Sequence, residues 1–375
     1  MIPVGVFEHS LRGFFAPILA ELDDPNVTEI LINGPHDIFV ERKGKLTKLD
    51  AGFKSADALM SALRVVAQFV GRALDAEHPI LEGRLPDGSR VEALLPPIAP
   101  DGPSVAIRRF SKQKLTLQRL IELGALTQDA AETLRVLIEC KQNIVVAGGT
   151  GSGKTSMLNA LSALVPGDER IVVIEDAKEL QLQREHVVQL EARPADPKGK
   201  GAVTIRDLFK ATLRMRPDRI VLGEIRSGEA LDLVQAMTSG HGGCLTTVHA
   251  SYPIDALNRL ETMALMGGVD LPLSALRAQL ASAVDIIVQT ARFRDGRRVV
   301  THITEVVGAH SVHGYRIKDL FVFDALAPEQ TPDQNCTLVP TGVLPECLPV
   351  IRAQGLNLPA SVHAAVQQSH AGEKP

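Results

Sequence analysis

Residues 143–157 read NIVVAGGTGSGKTSM, and the fold follows from this stretch. NIVVA is an apolar run of strand-forming residues. Gly148–Thr155, GGTGSGKT, match G-x-x-x-x-G-K-[ST] in full. A helical pattern follows through Met157, Leu158, Leu161 and Leu164, and Pro166-Gly167 stops it. Glycines allow backbone N–H groups to turn inward around phosphates, and the helix N-terminus adds partial positive charge. Gly148, Gly149, Thr150, Gly151, Ser152 and Gly153 are the expected cradle. Lys154 is expected to reach the β- and γ-phosphates, Thr155 to hold Mg²⁺, and Ser156 to join the nucleotide-binding residues. The expected ligands are therefore ATP or ADP with Mg²⁺. A chance glycine-rich loop is a remote alternative, because strand and helix flank the motif on the correct sides.

Outward from the loop, apolar runs alternate with helical patterns between about residues 113 and 325. Expected strands are 143–147, 171–174, 219–223, 244–248 and 285–290, with helices such as 154–164 and 228–238 between them. Buried strands alternating with helices argue for an α/β domain with a mainly parallel sheet covered on both faces. Residues 1–112 read differently. EILING and DIFVER flank a Gly34-Pro35 turn as a β-hairpin, and Ser55 caps an amphipathic helix with Leu59, Leu63, Val66 and Val70 on one face. RLPDGSRVEALLPP gives two more strand-like pieces around Asp87-Gly88. This is a smaller α+β domain. Residues 326–375 read as a C-terminal tail, with an exposed loop, a short helix at Leu344–Ala353 and a frayed end.

Bulk properties narrow the function. A chain of 375 residues exceeds one ordinary core, and a formal net charge of −4 argues against a general nucleic-acid binder. Cys140, Cys244, Cys336 and Cys347 are scattered without a C-x-x-C pair, so free thiols are expected rather than a zinc site or disulfides. The N-terminal stretch, interrupted by Glu8, His9 and Arg12, reads as a helix rather than a signal peptide. There is no run of about 18 apolar residues, so no transmembrane helix is expected and any membrane role needs a protein partner.

Hydrolysis requires acids near the phosphates. IVVIEDAKEL places Glu175 and Asp176 at a strand's C-terminal end, and DRIVLGEIR places Glu224 at another. Ligands of open α/β sheets sit at that edge. One such acid would read as an ordinary surface carboxylate, but two beside a full phosphate loop favour function. TSGHGGCLTTVHA carries His241 in a glycine-rich turn and His249 at the end of a strand, near the same sheet edge. Taken alone, these histidines read slightly better as structural than as phosphate sensors, and their spacing makes no zinc pair. Arg206, Arg214, Arg216 and Arg219 lie in one block and Arg84, Arg90, Arg108 and Arg109 in another. For any single arginine, a solvated or paired role comes first.

The blocks in order are GGTGSGKT, IVVIEDAKELQL, RMRPDRIVLGEIR and TSGHGGCLTTVHA. Together they resemble the type II/type IV secretion ATPase superfamily, with its Walker A, Asp-box, Walker B and His-box motifs. DPNVTEILINGPHDIFVERKGKL, RLPDGSRVEALLPP, QREHVVQLEARP and ALNRLETMALMGGVDLPL with ITEVVG resemble its CpaF/TadA-type branch, which powers tight-adherence (Tad) pili. The likeness covers about residues 17–325 and returns in LFVFD and GLNLPASV.

The resemblance implies a RecA-like P-loop ATPase domain preceded by a smaller α+β N-terminal domain. It implies a homo-hexamer with ATP between the two domains, and a hinge near Ser111–Leu115. It further implies Glu224 as general base or water-positioning carboxylate, with Glu175 assisting at Mg²⁺ and water. His241 and His249 would lie near the γ-phosphate, and Arg226 would join the catalytic group. Arg90 and Arg108 would close over the phosphates, and Arg206 and Arg214 are further candidates for charge stabilisation. The implied location is cytoplasmic, held at the inner membrane by platform proteins, with no direct nucleic-acid contact. A DNA-transfer motor of a conjugation system shares the same boxes and remains an alternative, as does a low-turnover nucleotide-gated scaffold. The chain lacks the zinc-binding cysteine cluster of some type II relatives, so no metal beyond Mg²⁺ is expected.

Overall fold

Why the N-terminal strands form a sheet is visible in their alternation. In β1 (Val27–Asn33) and β2 (Asp37–Arg42), the buried positions Ile30, Ile32, Ile38 and Val40 recur every second residue. The computed structural model describes residues 4–42, 44–110, 115–182, 184–195, 199–310, 314–324 and 338–372. It divides into two units, Met1–Lys114 and Leu115–Pro375.

In the first unit, β3 (Lys45–Lys48), β4 (Ile80–Arg84), β5 (Arg90–Leu94) and β6 (Ser104–Arg108) complete an antiparallel sheet in the order β3-β2-β1-β6-β5-β4. Two helices, α1 (Val4–Phe14) and the short α2 (Leu19–Asp23), precede the sheet. α3 (Ala56–Val70) starts at Ser55, whose hydroxyl accepts from the Ala58 amide at 3.2 Å, and stops at Gly71 in the left-handed region. Leu59, Leu63 and Val66 of α3 are fully buried against the sheet, and Phe7 of α1 stacks on Phe69.

The second unit opens with α4 (Leu117–Glu122) and α5 (Gln128–Glu139), capped by Thr116 and Thr127. Six parallel strands follow: β7 (Ile144–Gly148), β8 (Ile171–Glu175), β9 (Val187–Glu191), β10 (Arg219–Leu222), β11 (Leu245–His249) and β12 (Ile286–Arg292). Between them run α6 (Lys154–Ser162), α7 (Ile205–Thr212), α8 (Glu229–Thr238), α9 (Pro253–Leu265) and α10 (Leu273–Ala283). β13 (Arg298–His310), β14 (Gly314–Phe323) and β15 (Leu338–Pro340) extend the sheet antiparallel, in the order β15-β14-β13-β12-β7-β11-β10-β8-β9. Alternate residues of β7 enter two separate cores. Ile144 and Val146 pack with α5 and α6, while Val145 and Ala147 pack with α8, α9 and α10. Both faces are covered, so β7, β8 and β10 are buried at every position rather than alternating.

Several sequence expectations shift. β9 and the antiparallel extension β13–β15 carry no pattern that names them in advance. The stretch after residue 337, expected as a tail, packs onto the second unit: β15 pairs with β14, and Ile351 of α11 (Leu348–Ala353) and Val362 of α12 (Ala360–Gly372) join the core beside α5. The end expected to fray is helical as far as Gly372. Most of the expected hinge, residues 111–114, the exposed loop at 326–335 and Cys336 lie outside the described residues. Cys140, Cys244 and Cys347 are free thiols, and burial pushes Cys244 up to about 12. Among the described residues no helix is long and apolar enough to cross a membrane.

Candidate functional site

Parallel pairing puts the C-terminal ends of β7, β11, β10 and β8 side by side. Gly148 lies opposite His249 in register. A Cβ at Gly148 would meet Thr290 Oγ1 at 2.3 Å, Ser152 Oγ at 2.4 Å and the Thr290 carbonyl at 2.7 Å, so no larger residue fits where the loop leaves the sheet. Ser152 Oγ bonds to the Gly149 carbonyl and to Thr290 Oγ1, each at 2.9 Å. Gly151 and Gly153 turn the chain through positive φ (68° and 97°), and Gly153 is the N-cap of α6. Lys154 is buried, and its Nζ donates to the Gly149 carbonyl at 3.0 Å. Thr155 and Ser156 follow, half-buried, in the first turn of α6. Gly149 and Thr150 are exposed at the crest of the loop.

From Lys154 a chain of polar contacts runs along the sheet edge in strand order. Lys154 Nζ lies 3.4 Å from His249 Nδ1, at the end of β11. His249 Nε2 lies 2.6 Å from Glu224 Oε1, two residues beyond β10. Glu224 Oε2 pairs with Arg226 at 2.6 Å, and Arg226 Nη1 reaches Asp176 Oδ2, just after β8, at 3.2 Å. Burial and the neighbouring Lys154 charge lower the pKa of His249. A neutral ring with its proton on Nε2 satisfies both neighbours: it donates to Glu224 and accepts from Lys154.

Glu175 ends β8 and is buried, with Oε1 accepting the amides of Glu179 and Leu180 at 2.8 and 2.9 Å. Burial pushes its carboxyl up to about 7, partly offset by these two bonds. The folded carboxyl thus keeps its proton at pH values where the unfolded one is ionised. Stability should fall as pH rises from the ordinary glutamate range towards about 7 and level off above it. Denaturant unfolding of the ligand-free protein between about pH 5 and 8 should show this slope, with Glu175→Gln removing up to about 3 kcal/mol of it. Equal slopes in both proteins would refute the assignment.

The structure separates some residues that the sequence grouped. His241 and His249 do not share a sheet edge. The turn before a parallel strand lies at the edge opposite that strand's end, so His241 sits across the sheet from the phosphate loop, near Lys141, where Gly242 approaches the Lys141 carbonyl. Arg206 pairs with Asp232 of α8 at 2.6 Å and donates to the Gly267 carbonyl at 3.0 Å. Arg214 is exposed beyond α7, on the way to the start of β10. Arg219 is fully buried, bonding the Ile138 carbonyl at 2.8 Å and pairing with Glu169. None of these four side chains lies at the loop within one chain.

In the first unit, Arg90 faces Arg108 on one side and Arg84 on the other, in cross-strand register. The sequence reading missed Thr290, Arg292 and Arg298, which pack on the phosphate loop. The short hairpin ARFRDGRR was the sequence signal of the two arginines, while Thr290 ends the strand expected at 285–290.

The model of the type II/IV secretion system protein family matches residues 15–310. The chain belongs to that family. A putative conjugal transfer protein of Mycobacterium tuberculosis is 36% identical over 297 residues, covering 78% of this chain and 83% of that protein. The type IV secretion system protein VirB11 of Bartonella quintana is 34% identical over 326 residues, covering 76% of this chain and 90% of the relative. Among solved structures, the ATPase DotB of Legionella pneumophila is similar at a TM-score of 0.55 and 20% identity, covering 77% of this chain and 79% of that one. That likeness shows the secretion-family fold.

Proposed function

We propose that this chain is an Mg²⁺-dependent ATPase, working as one subunit of a homo-hexameric motor for a secretion or pilus-assembly machine. The observation that carries the reading is the contact chain Lys154–His249–Glu224–Arg226–Asp176, which begins at the phosphate loop and follows the strand ends. It supplies a cation for the phosphates and a carboxylate already oriented by two donors.

The donor set fits a nucleotide phosphate tail. Positive-φ glycines, a buried lysine and a helix N-terminus converge at Gly148–Thr155. Thr155 and Glu175 are the proposed residues for Mg²⁺, which when bound would neutralise charge on the phosphate oxygens. Lys154 would exchange the Gly149 carbonyl for a phosphate oxygen. Glu224, steered by His249 and Arg226, would orient the attacking water. Arg90 and Arg108 are proposed as phosphate ligands, supported by their like-charged row. Arg206, Arg214 and His241 are proposed to act on a neighbouring subunit's nucleotide.

The proposed location is the cytoplasmic face of the inner membrane, held there by platform proteins. The finer proposal is a Tad-type pilus motor, supported by the segments 24–46, 183–194 and 256–273. The relatives named for conjugal transfer and type IV secretion support the DNA-transfer alternative equally. Deletion of the gene decides between them, scored for surface pili, secreted proteins and plasmid transfer. Loss of pili restored by the intact gene, but not by Lys154→Ala, supports the pilus motor. Loss of plasmid transfer alone would replace it, and full restoration of either phenotype by Lys154→Ala would remove the motor reading.

A further inference from the structure

Two arginines flank the phosphate loop on the side away from His249 and Glu224. β12 lies beside β7 with Thr290 opposite Gly148, and β13 folds back so that Arg292 and Arg298 are cross-strand partners. Such partners present their side chains on one face. Arg298 Nε donates to the Gly151 carbonyl at 2.8 Å. Its stem runs beside the next turn, where a Cβ at Gly153 would lie 3.4 Å from Arg298 Cδ. Arg292 Nη1 would stand 3.2 Å from a Cβ at Gly151. At the hairpin tip, Arg297 is committed to Asp295 at 2.7 Å, and Phe293 packs edge-on against Phe323. The tip is thereby braced, and the two inner guanidinium groups face the loop.

A carbonyl oxygen turned into an anion pocket repels the anion. Tying the Gly151 carbonyl to Arg298 keeps that acceptor out of the concavity in which a phosphate would sit. Resting on the ATPase reading above, we propose that Arg292 and Arg298 are positioning residues that clamp the Gly151–Gly153 turn and so favour polyphosphate over monophosphate ligands. The adenine and ribose play no part in this selection.

The test uses the full chain, with binding of ATP, ADP, AMP and inorganic tripolyphosphate measured by competition against a fluorescent nucleotide, alongside steady-state ATPase kinetics. Arg298→Ala should weaken ATP, ADP and tripolyphosphate by about tenfold, leave AMP unchanged, and raise KM about tenfold with kcat within about twofold. Arg298→Lys should recover only part of this, because an ammonium lacks the planar Nε donor. Arg292→Ala, which leaves the Gly151 bond intact, should weaken polyphosphates about threefold, and it carries the test if Arg298→Ala melts early. Unchanged polyphosphate affinity in the folded variants overturns the clamp, as does ATP weakened with tripolyphosphate unaffected. If the wild type hydrolyses ATP while these variants match it, only the clamp falls. If the wild type binds no polyphosphate at all, the ATPase reading falls and takes the clamp with it.

Discussion

Lys154→Ala should abolish ATP turnover, with kcat/KM falling by at least about 100-fold and nucleotide affinity dropping with it. The reason is positional as well as electrostatic. Lys154 is buried at the first turn of α6, and its ammonium is held over the loop by the Gly149 carbonyl and beside His249. Alanine removes the cation where phosphate charge must be neutralised and leaves the Gly149 carbonyl without this donor. It also removes a charge that holds down the pKa of His249, so the imidazole should titrate at higher pH in the variant. Steady-state phosphate release and the histidine titration by NMR measure the two effects separately. Wild-type turnover in a folded Lys154→Ala protein would remove the assignment of residues 148–155 as the phosphate site.

The second large effect belongs to Glu224→Gln. ATP should bind within about threefold of wild type, while kcat falls by about 100- to 1,000-fold. The carboxylate lies against two donors, His249 Nε2 at 2.6 Å and Arg226 at 2.6 Å. An amide accepts from one of them and opposes the other with its own N–H, a mismatch that partial exposure to water keeps below the roughly 1–3 kcal/mol of a buried one. The variant therefore loses both the base and its steering, yet the loop and Lys154 are untouched. Single-turnover hydrolysis against equilibrium binding separates these outcomes. Loss of binding with Glu224→Gln would show that the carboxylate organises the loop, and undiminished kcat would remove it from the chemistry.

The match between sequence and structure is uneven for physical reasons. Local signals survive because they are local: Ser55 and Gly71 delimit α3, and Gly151 and Gly153 adopt the positive φ that glycine alone takes readily. Apolar runs at 143–147 and 171–174 become strands inside the sheet because only a strand covered on both faces tolerates continuous apolar residues. The short helix expected at Leu344–Ala353 appears as α11, but that it, β15 and α12 pack onto the second unit was not legible, because their burial comes from a partner strand and a distant helix. The histidines show the limit most clearly. His241 and His249 are close in sequence, but a parallel strand lies between them and carries them to opposite edges of the sheet.

By itself the sequence located the glycine-rich turn between strand and helix, the acids at the strand ends and the family, since each depends on residue types at fixed short spacings. The tertiary structure decided which of those groups meet. Strand order, which no local spacing encodes, sets His249 between Lys154 and Glu224 and links Arg226 to Asp176. It also folds a hairpin from far along the chain back onto the loop, bringing Arg298 to the Gly151 carbonyl across 147 residues. Hydrogen bonds between neighbouring parallel strands bring such distant positions together, and they form only when the whole sheet does.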